Sequence, residues 1–332
     1  MHLISGAAGG IILIITPSGR ILPMKKTALI LLTILLILPA LHGCRSPENG
    51  DGFSIVTTIF PVYDFTRAIV GDRGSVTNLL RPGEETHSYE PTPADIIKIK
   101  NADVFIYIGG ESDTWVDTVL ASLDTSTIKI ITLIDSVNVL EEEEDHEHDE
   151  HGHDHDHGYD EHIWTSPVNA IKMTEKIAEA VIAADPDGAD IYRGNLDSYR
   201  NELESLDSMF RKTVNDAKRK TVVLADRFPF LYFEHEYGLE FHAAYSGCSD
   251  ESDVSAGVIA GLIKTVKDEN IPVVFMTELS SGRIAETVSS ATGSGILTLH
   301  SCSNVSKAEA EAGETYISLM KKNNENLKAA LG

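Results

Sequence analysis

Between Asp190 and Lys218 the chain runs without a proline and with a single glycine, Gly194. Leu196, Tyr199, Leu203, Leu206, Met209 and Phe210 recur at helical spacing, which gives one apolar face and predicts a single long helix. At ~1.5 Å of rise per residue it extends about 40 Å, enough to span a molecule of two domains. We therefore take 187–219 as a linking segment and ask what lies on either side.

Both sides alternate strand and helix signals. Before the link, Phe53–Thr58, Ser75–Leu80, Val104–Ile108 and Ile128–Thr132 read as strands. Phe60–Val70, Pro93–Lys100, Trp115–Ser122 and Ala170–Ala184 read as helices, with Pro93 at a first-turn position where its missing N–H is harmless. After the link, Thr221–Ala225, Val273–Thr277 and Ile296–Leu299 are apolar runs of the kind buried on both faces. Val254–Glu269, Arg283–Ala291 and a closing Ala308–Ala330 are the expected helices. The βαβα order predicts an α/β fold of two lobes, 53–184 and 220–332, each a mostly parallel sheet flanked by helices. No internal sequence repeat relates the two halves.

The formal net charge is −24, with 42% apolar residues to build a core. Such acidity excludes nucleic acid as a partner and suits a cation. Half of that charge sits in 141–161, which holds twelve acidic side chains and no lysine or arginine. The same loop contains His146, His148, His151, His153, His155 and His157. It lacks the apolar residues needed to order itself, and its alternating imidazoles and carboxylates offer accessory weak metal sites. A solvated spacer is the plainer alternative, but six histidines in so short a stretch speak against accident.

At the other end, Met24-Lys25-Lys26, an apolar run from Ala28 to Leu41 and Gly43-Cys44 have the build of a secretory signal. The run is short for a membrane span. Its ending resembles a bacterial lipobox, in which Cys44 is acylated and becomes the mature N-terminus; His42 departs from the small residue usual there. An anchor helix with an incidental cysteine is the alternative. Residues 1–23 precede a better start at Met24, and 45–52 read as a flexible tether. An extracytoplasmic protein held to the membrane by lipid is expected. In that compartment the remaining pair, Cys248 and Cys302, is expected to form a disulfide, with buried thiols or metal ligands as the alternatives.

Three segments carry a resemblance. Arg81-Pro82-Gly83-Glu84-Glu85-Thr86-His87-Ser88-Tyr89-Glu90-Pro91-Thr92-Pro93-Ala94-Asp95 closely resembles a signature of the zinc and manganese solute-binding proteins of ABC importers. Asp160-Glu161-His162-Ile163-Trp164-Thr165-Ser166-Pro167 is similar to a second, and Thr277-Glu278 with Ile284-Ala285-Glu286-Thr287 to a third, in the same order. The resemblance spans roughly 53–330 and implies two lobes joined by one rigid helix, a divalent metal in the cleft between them, and docking onto a membrane permease. Similar histidine-rich loops occur in its zinc-specific members, so Zn2+ is expected over Mn2+. A monomer is expected.

The resemblance implies metal-ligand roles for His87 and His162, and for Glu278 at the end of an apolar strand. Taken alone, His87 could equally be a loop histidine bonded to a carbonyl, His162 the last histidine of the tract, and Glu278 a helix N-terminal acid favoured by the dipole. The family often places a histidine after the first strand of the second lobe. Here that turn reads Leu224-Ala225-Asp226-Arg227-Phe228-Pro229-Phe230, and Asp226 is the oxygen donor at hand unless it pairs with Arg227. A zinc enzyme of the same compartment is the competing class, but neither a His-Glu-x-x-His helix nor a Gly-x-Ser-x-Gly elbow occurs. A surface adhesin or zinc scavenger is a third.

Overall fold

Val104–Tyr107 and Thr221–Leu224 are short apolar runs buried almost throughout, as expected of inner strands of parallel sheets covered on both faces. In a computed structural model that describes residues 52–141, 158–245 and 254–332, each is an inner strand of its own four-stranded sheet. The first sheet comprises β1 (Ser54–Thr57), β2 (Ser75–Asn78), β3 (Val104–Tyr107) and β4 (Lys129–Thr132), in the order β2-β1-β3-β4. The second comprises β5 (Thr221–Leu224), β6 (Glu240–Ala243), β7 (Val273–Met276) and β8 (Gly295–Thr298), in the order β6-β5-β7-β8. Every pairing is parallel. The two lobes thus share one topology with no matching sequence. In each, the strand order reverses beside the first strand, and such reversals open a crevice at the carboxyl ends of the strands.

Helices cover the sheets: α1 (Phe60–Val70), α2 (Pro93–Lys100), α3 (Thr114–Ala121) and α4 (Pro167–Ala184) around the first, and α6 (Leu231–Tyr237), α7 (Ala256–Asp268), α8 (Arg283–Thr292), α9 (Lys307–Ala312) and α10 (Tyr316–Leu331) around the second. Between them runs α5 (Ala189–Asn215), 27 residues long. It buries Tyr192, Tyr199, Leu203, Leu206, Phe210 and Val214 and packs along α1, α4 and α10. Thr92 starts α2 with a reciprocal capping box to Asp95, with Pro93 just inside.

Two expectations needed correction. The closing helix is two helices, because Gly313 takes a left-handed backbone (φ 71°) that ends α9, and Thr315 caps a new start with its hydroxyl accepting from the Ser318 N–H. Strand β6 was missed: its run Glu240-Phe241-His242-Ala243 carries a glutamate and a histidine, so it lacks the continuous apolar run that marked β3, β5 and β7.

Each lobe has a small apolar cluster of its own, around Phe105 in the first and Val274 in the second, and a larger one runs through both. Ile55 and Ile106 of the first sheet, Tyr199, Leu206 and Phe210 of α5, and Val222 and Phe275 of the second belong to one buried cluster. Gly52–Gly332 accordingly forms a single compact unit. Polar ties reinforce it. The Asn304 amide donates to the carbonyls of Arg81 (2.7 Å) and Glu84 (2.8 Å), and Gly83 N–H donates to the Val305 carbonyl (2.8 Å). Trp164 Nε1–H donates to the Ser301 carbonyl (2.9 Å), and Tyr316 O–H to the Trp164 carbonyl (2.7 Å). A wide hinge opening would break all of these, so the cleft is built to adjust by small movements.

Candidate metal centre

His87 lies on the long connection from β2 to α2. The loop before it is pinned to the second lobe through Gly83, Arg81 and Glu84, which fixes the approach of the imidazole. His162 follows the acidic loop, whose ends meet at an isolated antiparallel bridge between Glu141 and Tyr159. The His162 backbone N–H (2.7 Å) and ring Nδ1 (3.1 Å) both engage one Asp160 carboxylate oxygen, and this histidine is 2% exposed. A carboxylate can only accept, so His162 carries its proton on Nδ1 and presents the Nε2 lone pair. The two imidazole centroids are 5.5 Å apart.

Glu161 joins them: one ligand atom from each of His87, Glu161 and His162 lies within 4.8 Å of the others. This glutamate reads in sequence as the tail of the acidic loop, yet it is only 7% exposed. The overlooked signal is Gly109-Gly110 after β3, since a Cβ on Gly110 would stand 2.5 Å from Glu161 Oε2. Ser112, just beyond, donates its backbone N–H to Glu161 Oε2 (2.9 Å) and its hydroxyl to Glu161 Oε1. The same hydroxyl oxygen is 2.9 Å from His87 Nδ1.

The other expected ligands stand outside that cluster but line the same cleft as His87, a cavity of about 540 Å³. Asp226 follows β5 and Glu278 follows β7, so both lie at the crevice of the second sheet. Asp226 Oδ2 accepts from the Thr277 N–H (3.1 Å) and hydroxyl (3.0 Å). The Arg227 guanidinium reaches Glu85 of the first lobe (3.7 Å), and the Arg227 backbone N–H donates to Asp226 Oδ1 (3.0 Å). Glu278 receives the Ser301 N–H (2.8 Å) and hydroxyl (2.6 Å), with His300 Nδ1 at 3.6 Å. Burial works against a charge on His300, but Glu278, Cys302 and Glu309 outweigh it and raise its pKa well above the ordinary value.

Cys302 carries a free, fully buried thiol, 3.8 Å from the His300 carbonyl, in place of the expected bond to Cys248. Its backbone is left-handed (φ 62°), in a loop that turns the side chain inward. Cys248, Cys44 and the six tract histidines His146, His148, His151, His153, His155 and His157 lie outside the described residues.

Asp113 sits behind the cluster, its Oδ2 accepting the Ile108 and Gly109 N–H groups (both 3.0 Å). Burial first, and the Glu161 charge second, push its pKa up from 3.8 to about 6. A raised carboxyl pKa means the folded state binds the proton more tightly than the unfolded chain does. Ionised Asp113 therefore costs stability above pH 6, and that cost fades as pH falls from 6 towards 3.8. Asp113→Asn keeps the acceptor and removes the charge. In metal-free protein the variant is expected to be about 3 kcal/mol more stable than the parent at pH 7, with the gap closing by about pH 4. Urea unfolding of both across that range checks this, and a pH-independent gap would contradict it.

A family model described as zinc-uptake complex component A, periplasmic (ZnuA), matches residues 55–330. The chain belongs to this family. It is 36% identical over 308 residues to the zinc-binding lipoprotein AdcA of Streptococcus pneumoniae (strain ATCC BAA-255 / R6), covering 92% of this chain but 61% of AdcA. The chain thus spans about three fifths of that relative. It is 34% identical over 314 residues to the high-affinity zinc uptake system protein ZnuA of Bacillus subtilis (strain 168), covering 92% of this chain and 98% of that protein. The Zn(II)-bound ZnuA-like domain of S. pneumoniae AdcA superposes with a TM-score of 0.71 at 33% identity, over 84% of this chain and 99% of the domain. Among the described residues no helix is long and apolar enough to cross a membrane.

Proposed function

We propose that this ZnuA-family protein captures a zinc ion outside the cytoplasm and passes it to an ABC importer in the membrane. The observation that carries the reading is a pair of imidazoles, His87 and His162, 5.5 Å apart, beside a cleft walled by carboxylates of the other lobe. We take the ligands as His87, His162, Asp226 and Glu278. Two neutral imidazoles and two carboxylates balance a divalent charge, which makes a buried ion tolerable. Imidazole nitrogen suits zinc better than manganese. The names of AdcA and B. subtilis ZnuA support the same cargo. We further propose a monomer tethered through acylated Cys44, with 53–184 and 220–332 as the lobes.

The reading assigns no catalytic step. Ser112, His87 and Glu161 superficially resemble a hydrolytic triad, but the serine bridges the other two, whereas a triad needs the histidine in the middle. A zinc titration of chelator-stripped protein against a chromophoric competitor tests the proposal. One tight ion per chain is expected, and a chain that holds no zinc tightly would end the reading.

The acidic loop supplies a separate prediction. Deleting 142–157 should lower the number of weakly held zinc ions and leave the single tight one, because His87, His162, Asp226 and Glu278 all lie outside the deletion. Loss of the tight ion in that variant would place the loop in the main site.

A further inference from the structure

We propose that Ser112 and Glu161 act together as a positioning pair that fixes His87 in its Nδ1–H tautomer, and that Glu161 is not itself a metal ligand. The inference rests on His87 being a ligand, as proposed above. It follows from counting protons in the contacts around Ser112.

The Ser112 hydroxyl has one hydrogen and two close partners, Glu161 Oε1 and His87 Nδ1. An ionised carboxylate has nothing to donate, so the hydroxyl hydrogen must point at Glu161. The Ser112 oxygen can then meet His87 Nδ1, at 2.9 Å, only as an acceptor, and it lies nearer that nitrogen than Glu161 Oε1, at 3.4 Å, does. His87 therefore bears its proton on Nδ1 and its lone pair on Nε2, the atom that a metal needs. The second oxygen, Glu161 Oε2, takes the Ser112 backbone N–H at 2.9 Å. Both carboxylate oxygens are thus engaged by one residue, with the chain brought close by the absence of a side chain at Gly110.

His162 reaches the same tautomer by a direct contact with Asp160. The two imidazoles are matched by different routes, one through a carboxylate and one through a hydroxyl relay. Outer partners of this kind orient the ring and raise ligand basicity, and their loss typically costs about 10–100-fold in metal affinity.

Glu161→Gln gives the sharpest test, because it should reverse the relay. The Ser112 backbone N–H still requires an acceptor, so the glutamine carbonyl takes the Oε2 place. Its amide then donates to the Ser112 oxygen, and the hydroxyl hydrogen turns to His87 Nδ1. The proton of His87 moves to Nε2, where it blocks the metal. Ser112→Ala removes the relay outright, and Ser112→Thr keeps the hydroxyl.

The measurement is a long-range proton–nitrogen correlation on metal-free, histidine-labelled full-length mature protein near pH 8, with His87 signals identified by their loss in His87→Ala. Zinc affinity is measured alongside. The parent and Ser112→Thr should show His87 as Nδ1–H, with affinities within about threefold of each other. Ser112→Ala should lose the single tautomer and about 10–100-fold in affinity. Glu161→Gln should show Nε2–H with a similar loss. If Glu161→Gln leaves His87 as Nδ1–H and weakens zinc far more than Ser112→Ala does, Glu161 is a ligand and the proposal fails. It fails too if Ser112→Ala changes neither tautomer nor affinity. A parent that holds no zinc tightly would defeat the functional reading instead, and the tautomer result would stand apart from it.

Discussion

Replacing His87 by alanine removes tight zinc binding. Structural zinc sites with four protein ligands are worth roughly 10–16 kcal/mol, so one nitrogen ligand carries on the order of 3 kcal/mol, or about 100–1,000-fold in affinity. Water can fill the vacant position but brings no preorganisation. The stability of the metal-free protein should change little, since the His87 side chain is 19% exposed and its surrounding backbone is held by Asn304 and Gly83. Competition titration gives the affinity, and thermal melts of the stripped protein give the control. Unchanged affinity would remove His87 from the site, and with it the reading of the Arg81–Asp95 signature.

The second large effect is on stability. Asp64 is 2% exposed on α1 and gathers three elements: it pairs with Arg67 (2.8 Å), accepts the Tyr316 N–H at the start of α10 (2.9 Å), and lies 3.4 Å from the Tyr199 hydroxyl of α5. Burial raises its pKa, with Arg67 and Tyr316 pulling the other way, so the environment holds a charge that it only partly compensates. Asp64→Ala leaves a buried N–H and a phenol without this partner. Arg67 is 43% exposed and stays solvated, so the expected loss is about 2–4 kcal/mol, read as a fall of roughly 5–10 °C in the metal-free melting temperature. Zinc should restore part of the loss by binding only the folded state. A change under about 1 kcal/mol would mean that the apolar cluster alone sets how the lobes meet.

The long helix was legible because its signal is local: the spacing of Tyr199, Leu203, Leu206 and Phe210 is the spacing of the face it buries. Inner strands were legible from their apolar runs, and β6 was not, because Glu240 and His242 interrupt its apolar residues. His87 and His162 stood out through their flanking residues. Glu161 did not, since a glutamate ending an acidic run looks solvated until the fold shows the glycine pair that admits it. Beside Asp226 the sequence offers Arg227 as a neighbour, and the reach of that guanidinium to Glu85 has no local sign. The shared core was beyond reach for the same reason. Contacts such as Asn304 to Arg81, 223 residues apart, leave no local pattern.

One zinc ion should sit in the cleft between two imidazoles of the first lobe and two carboxylates of the second. An anomalous-difference map at the zinc edge, from crystals of the protein lacking 142–157 loaded with one equivalent of zinc, decides this. One peak is expected, about 2.0–2.1 Å from a nitrogen of His87 and of His162 and about 2.0–2.2 Å from an oxygen of Asp226 and of Glu278. A peak that touches Glu161 in place of the second-lobe carboxylates, or that lies away from His87 and His162, would contradict it.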